Sequence, residues 1–145
     1  MHVSGSCHCG VIKIEAEAEE ELAGICHCTD CQVLSGSAFR GGVQALRKTM
    51  TVAGKPKTYV KVAERGRRRL HAFCPDCATP LYADDPEAKT PFVSLRIGFL
   101  DQRDQLVPQV QTWRRSALPW SSRLAEIPAL EKDDFASLAV SVRSE

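Results

Sequence analysis

A chain of 145 residues with 43% apolar and 26% charged positions is long enough for one hydrophobic core and too short for a second. Its formal net charge of +1 supplies no global field for nucleic acid or an anionic membrane surface. No apolar run approaches the roughly 20 residues that a membrane-spanning helix needs.

The N-terminal "MHVSGSCHCG" lacks a basic segment followed by an apolar one, so it does not read as a secretory signal. A cytoplasmic chain with reduced thiols is the expectation. Val11 to Ala18, "VIKIEAEA", sets Ile12, Ile14, Ala16 and Ala18 against Lys13, Glu15 and Glu17. That is the period-2 pattern of a half-buried strand. One helical turn is expected after Cys31. "SAFRGGVQ" reads as a strand in which Gly41 and Gly42 mark a bulge or a close backbone approach. "MTVAGKPKTYVKV" reads as strand, turn and strand, with Gly54, Lys55 and Pro56 at the corner. "RLHAF" is a strand that runs directly into a cysteine pair. "PFVSLRIGFL" and "VPQVQTW" are two further strands.

The tail differs. "PWSSRLAEIP" is proline-bounded and irregular, and "LEKDDFASLAVSV" reads as a short helix starting near Asp133 or Asp134. A mainly-β domain over residues 1–130 is expected, with 131–145 as its tail or a short terminal helix. Short antiparallel sheets with little helix close as a sandwich or an open barrel. Aromatic residues are only 6% of the chain, so something besides core packing is expected to hold it together.

Seven cysteines are an odd number, which a closed disulfide framework would not use. They fall into three clusters: Cys7 and Cys9 in "GSCHCG", Cys26, Cys28 and Cys31 in "CHCTDC", and Cys74 and Cys77 in "FCPDCATPL". A Cys-x-x-Cys turn followed by small residues is a zinc knuckle, aiming two sulfurs at one ion about 2.3 Å away. Cys7 and Cys9 with Cys74 and Cys77 make a full tetrahedral set. A closed four-sulfur site is structural, and on the order of 10–16 kcal/mol of binding would count toward folding. Iron is compatible with the same ligand type.

Cys26, Cys28 and Cys31 remain. Three protein ligands and one exchangeable position are the pattern of a catalytic zinc, where a metal-bound thiol is deprotonated at neutral pH. Two other readings stay open. His8, His27 or His71 would close the site as a fourth ligand, although His27 alternates with Cys26 and Cys28 and is expected to point away. A metal-free reactive or redox cluster is the other.

The ordered set "GSCHCG", "CHCTDCQVLSGSAF", "FCPDCATPL" and "WRRSALPW" resembles the glutathione-dependent formaldehyde-activating enzyme family, whose domain is shared with centromere protein V. The resemblance covers about residues 3–130. It implies a zinc-stapled β-fold of small sheets, with two zinc ions per chain. Cys7, Cys9, Cys74 and Cys77 would hold a structural one, and Cys26, Cys28 and Cys31 a catalytic or labile one. It also implies a carbon–sulfur lyase run in the synthetic direction, making S-(hydroxymethyl)glutathione from glutathione and formaldehyde. The chain departs from the family in carrying Ala78 where glycine is usual and Gln111 near where a histidine often stands, and the family's acidic residues after "PW" survive only as Glu126, with Ala125 beside it.

The expected partners are therefore a small thiol and an aldehyde, with no nucleic acid and no membrane. A zinc-stapled binding module without turnover, or a thiol redox sensor, is the alternative. Arg65, Arg67, Arg68 and Arg69 read either as an anion site for carboxylates or, more simply, as a solvated hairpin tip. Ser35, Gly36, Ser37 and Phe39 either line a pocket or pack the ligand loop. Trp113 and Trp120 read as core or rim packing. His8 and His27 are candidates for supporting hydrogen bonds around the sulfurs.

Overall fold

The computed structural model describes residues 1–132. In chain order, β1 is His2–Ser6, β2 Lys13–Cys26, α1 Thr29–Ser35, β3 Arg40–Leu46, β4 Thr51–Ala53, β5 Lys57–Val62, β6 Arg68–Phe73, β7 Pro80–Asp84, β8 Phe92–Arg96 and β9 Val110–Thr112. The chain is mainly β, and α1 is the one α-helix among the described residues.

The alternation that begins at Ile12 does make a strand. Ile12, Ile14, Ala16 and Ala18 are each 2% exposed or less, and the charged residues between them face outward. Burying each isoleucine contributes roughly 1.5–3 kcal/mol. The strand does not stop at Ala18. It runs on to Cys26 with a register shift between Glu19 and Ala23. Its first half pairs with β1 and β4, and its second half with β3 and β9. This 14-residue strand is therefore shared by two parts of one hydrogen-bonded network. The larger part continues β2-β3-β8-β7-β6-β5. All pairings are antiparallel except β2 with β9.

Several local expectations change. β1 carries no clear alternation and was not expected. The "SAFRGGVQ" strand begins only at Arg40, and the bulge lies in β2 rather than at Gly41 and Gly42. Gly42 is instead a close approach: a Cβ there would lie 3.0 Å from Ser94 Oγ and 3.3 Å from the Leu95 carbonyl oxygen. β4 and β5 flank the Gly54–Pro56 corner but do not pair with each other, because β4 joins β2 and β5 joins β6. The turn expected after Cys31 begins before it, at Thr29. "PWSSRLAEIP" winds into two 3-10 turns, Pro119–Ser122 and Leu124–Glu126. The helix start expected at Asp133 or Asp134 lies outside the described residues.

The larger part of the network has two unlike faces. Ala23, Val43, Ala45, Val93 and Leu95 fill the core on one side. The opposite side carries Cys26, Arg40, Ser94, Arg96, His71 and Arg69, brought together by strand register. This polar face positions the site.

Candidate metal centre

Two six-residue loops form the first sulfur cluster. In one, Cys7 N donates to the Ile12 carbonyl at 3.0 Å, Gly10 N to the Cys7 carbonyl at 2.9 Å, and Ile12 N to Cys7 Sγ at 3.3 Å. In the other, Cys74 N donates to the Thr79 carbonyl at 3.0 Å and Ala78 N to the Cys74 carbonyl at 2.9 Å. The loops are stitched together where His8 N donates to Thr79 Oγ1 at 3.0 Å. Each tight loop needs a left-handed residue near its end. Gly10 supplies one at φ 82°, and Ala78 the other at φ 60°, although alanine pays sterically for that conformation.

The loops bring Cys7, Cys9, Cys74 and Cys77 into one group. Cys7 and Cys9 sulfurs are 3.6 Å apart, and Cys9 and Cys74 sulfurs 3.7 Å. Sulfurs about 2.3 Å from a shared tetrahedral ion would lie about 3.8 Å apart. The spacing therefore fits zinc. Hydrogen bonds involving Thr79 bring the Cys77 thiol down to about 5.

The second cluster is built where a strand meets a helix. Cys26 ends β2, Cys28 caps α1 and Cys31 lies in its first turn. Cys31 N donates to Cys28 Sγ at 3.3 Å, and Gln32 N to the Cys28 carbonyl at 3.0 Å. The Cys-x-Cys-x-x-Cys spacing thus spans strand end, cap and first turn, with all three sulfurs within 4.8 Å of one another. Cys26 is lowered to about 4, chiefly by the hydrogen bond from Cys31, and Cys31 is raised in turn. The trio shares negative charge readily, as a soft divalent metal requires.

No histidine joins either sulfur group among the described residues. His27 is 2% exposed and points away from the sulfurs; its Nε2 bonds Gln111 Oε1 at 2.8 Å. His71 lies on the cavity floor beside Arg96, whose guanidinium meets His71 Nδ1 at 3.3 Å. Burial, then Arg96, Arg40, Lys61 and Arg69, lower His71 to about 4, so it is neutral. His8 is exposed on the first loop.

The three cysteines form one wall of a cavity of about 590 Å³. Arg69, His71, Ser94 and Arg96 make its floor, and Trp113 a second wall. Asp30 on α1 pairs with Lys61 on β5 across the opening. Trp113 adopts a left-handed φ of 56°, a strained conformation for a bulky residue, and Arg115 lies 5.0 Å from the centre of its ring. Beyond Trp113 and Arg69 a second cavity of about 850 Å³ carries Arg65, Arg67, Arg114 and Arg115. The basic run is therefore divided. Arg65, Arg67 and Arg68 are exposed at the β5–β6 hairpin, as a solvated tip would be, whereas Arg69 turns onto the cavity floor.

Other expected residues fall elsewhere. Ser35 packs the ligand loop, its Oγ donating to the Cys31 carbonyl at 2.6 Å. Gly36 ends α1 at φ 62° and Ser37 is exposed. Phe39 stacks edge-on against His27 at 5.6 Å and lines a separate cavity near Cys7. Trp120 is 49% exposed at the surface. Trp113, expected in packing, instead divides the two basic cavities. Arg40 and Arg96 were missed. Each alternates out of phase with the core-facing valines and leucines of its strand, where a charged residue reads as solvent-facing, so the sequence carried no signal for them.

The family model described as glutathione-dependent formaldehyde-activating enzyme matches residues 2–116. Among solved structures, the crystal structure of a Rhodobacter sphaeroides protein superposes with a TM-score of 0.55 at 20% identity, over 72% of this chain and 96% of that one. That likeness concerns the fold alone. No curated protein matches the chain significantly.

Proposed function

Because the chain belongs to the glutathione-dependent formaldehyde-activating enzyme family, we propose that it joins a small thiol to an aldehyde, with glutathione and formaldehyde as the reference pair. The observation that carries this reading is the three-cysteine wall of the 590 Å³ cavity. Cys7, Cys9, Cys74 and Cys77, locked in their loops, act as a structural zinc set. Cys26, Cys28 and Cys31 act as the reaction centre, within a catalytic domain of residues 1–130.

A zinc ion on Cys26, Cys28 and Cys31 would supply a Lewis-acid position that favours the thiolate form of a thiol substrate. The rest falls to the chain's own residues. Arg65, Arg67, Arg114 and Arg115 in the outer cavity take the peptide carboxylates, by charge-assisted hydrogen bonds. Trp113 walls the passage between the outer cavity and the sulfurs. His27, held by Gln111, fixes the backbone between Cys26 and Cys28. The cavity confines thiol and aldehyde together, which lowers the entropic barrier to their encounter. The thiol gives up its proton, its sulfur bonds to the aldehyde carbon, and the carbonyl oxygen takes up a proton to become a hydroxyl. The product is a hemithioacetal, reached by a carbon–sulfur lyase working in reverse.

The test is exchange spectroscopy by NMR on protein with glutathione and ¹³C-formaldehyde. Adduct exchange faster than in the protein-free mixture supports the reading. Unchanged exchange with both metal sites filled overturns it.

A further inference from the structure

Arg40 is 7% exposed, and among the described residues its guanidinium makes no hydrogen bond and no ion pair. A guanidinium does not shed its proton at ordinary pH, so its charge must be compensated where it lies. Among the described residues, the groups beside it that favour its charged form are Cys31, Cys28 and Cys26. Arg96 is in the same position. Burial, then Arg40 and Arg69, disfavour its charge, Cys31 and Cys26 favour it, and among the described residues its one side-chain hydrogen bond goes to neutral His71. Asp30, the carboxylate on the cavity wall nearest the sulfurs in sequence, is already paired with Lys61.

Strand register explains how the two cations meet the sulfurs. Arg40 lies directly opposite Cys26 across β2 and β3, so the two share a face of the sheet. Gly42, two residues on and therefore on that same face, lies opposite Arg96. A Cβ on Gly42 would stand 3.0 Å from Ser94 Oγ and 3.3 Å from the Leu95 carbonyl oxygen, so the missing side chain lets β8, which carries Arg96, lie close on this face. Two like charges held side by side in a buried place require an anion. The charge balance has a simple form. Three thiolates on a divalent ion leave one net negative charge, and a thiolate ligand adds a second. Arg40 and Arg96 supply two positive charges, while Arg69 on the same floor has Asp84 and Asp85 beside it.

We infer that Arg40 and Arg96 are positioning residues that carry the counter-charge for an anionic sulfur ligand beside Cys26, Cys28 and Cys31, so that the cavity selects its thiol as the thiolate. The inference rests on the thiol chemistry proposed above and names the two residues that set it. A bound thiol leaves its proton in solvent, and the guanidiniums stay charged throughout. The nearby carboxylates of a peptide thiol are a second possible anion, and the test separates the two.

The experiment is calorimetric binding to metal-containing protein, with metal content counted in every variant. The probes are 2-mercaptoethanol, a thiol without a carboxylate, and S-methylglutathione, which has carboxylates and no free thiol. Arg96→Met and Arg40→Met are expected to weaken 2-mercaptoethanol about tenfold or more and to leave S-methylglutathione within about twofold. Arg96→Lys and Arg40→Lys keep the charge and are expected to restore most of the loss. Zinc is supplied until every variant holds two ions per chain, so that weaker binding reports the lost charge and not a lost ion. Unchanged 2-mercaptoethanol affinity in both methionine variants overturns the inference. So does equal weakening of both probes, which would assign the pair to a carboxylate, or a lysine variant as weak as its methionine counterpart, which would make the role one of packing. If 2-mercaptoethanol binding follows the expected pattern while formaldehyde exchange is not accelerated, the reaction assignment fails and the counter-charge role stands.

Discussion

His27 Nε2 and Gln111 Oε1 lie 2.8 Å apart although 84 positions separate them in sequence. The amide oxygen can only accept, so Nε2 carries the ring proton and Nδ1 is left as a buried acceptor without a partner among the described residues. The bond ties the backbone between Cys26 and Cys28 to β9. Gln32 reinforces the tie, its Nε2 donating to the His27 carbonyl at 2.8 Å and to the Ser116 carbonyl at 2.9 Å. A histidine flanked by two cysteines thus serves as a fastener rather than a ligand.

Gln111→Leu leaves the His27 N–H buried without an acceptor. It is expected to cost about 1–3 kcal/mol. Thermal unfolding of the metal-saturated protein should show a lower midpoint, and the His27 ring-proton signal in NMR should move.

The two sulfur clusters should respond differently to loss of a cysteine. Purified protein is expected to hold about two zinc ions per chain. Cys28→Ser should lose one and still fold. Cys74→Ser should fail to fold or unfold at a much lower temperature, because Cys74 is fully buried in the loop that locks β6 to the N-terminal hairpin. Elemental analysis and circular dichroism decide. A single zinc in the wild type, unmoved by Cys28→Ser, would count against the division of labour.

Ala78 holds a left-handed backbone at φ 60°. Relief of that strain is worth about 1–2 kcal/mol, and the extra freedom of glycine in the unfolded chain takes back about 0.5–1. Ala78→Gly should therefore stabilise the protein by up to about 1.5 kcal/mol, read as a small rise in melting temperature.

His71 is neutral in the folded protein down to about pH 4, because it is buried first and surrounded by Arg96, Arg40, Lys61 and Arg69 second. In the unfolded chain it titrates near about 6.5. Between those values the unfolded state binds a proton that the folded state refuses, so stability is full above about pH 6.5 and falls as the pH drops toward 4. Acid also protonates the cysteine ligands. The measurement is therefore the difference between wild type and His71→Gln: the variant should lose less melting temperature between pH 7 and pH 5.

In the outer cavity, Arg114→Ser and Arg65→Ser remove cations that are free of salt bridges among the described residues. Each should raise KM for glutathione about two- to tenfold with kcat little changed, the signature of lost uniform binding. Equal KM values for wild type and both variants would leave the outer cavity without a role.

Short-range features were legible in the residues themselves. The isoleucine and alanine alternation from Ile12 gave the core face of β2, since side-chain direction has period 2 whatever the strand pairs with. The cysteine spacings marked the chelating pairs Cys7–Cys9 and Cys74–Cys77 and the trio Cys26, Cys28 and Cys31, because each group is complete within about six residues.

What the residues alone could not decide was the surroundings of the polar face. Alternation puts Ser94 and Arg96 opposite Val93 and Leu95, and it says nothing about whether that opposite side meets water or a cavity. The answer came from register: β2 running past Ala18 to set Cys26 against Arg40, and β3 setting Gly42 against Arg96. Local sequence determines which way a side chain points. Only the assembled sheet determines which charges it must face, because pairing across strands joins residues whose separation along the chain carries no periodic signal.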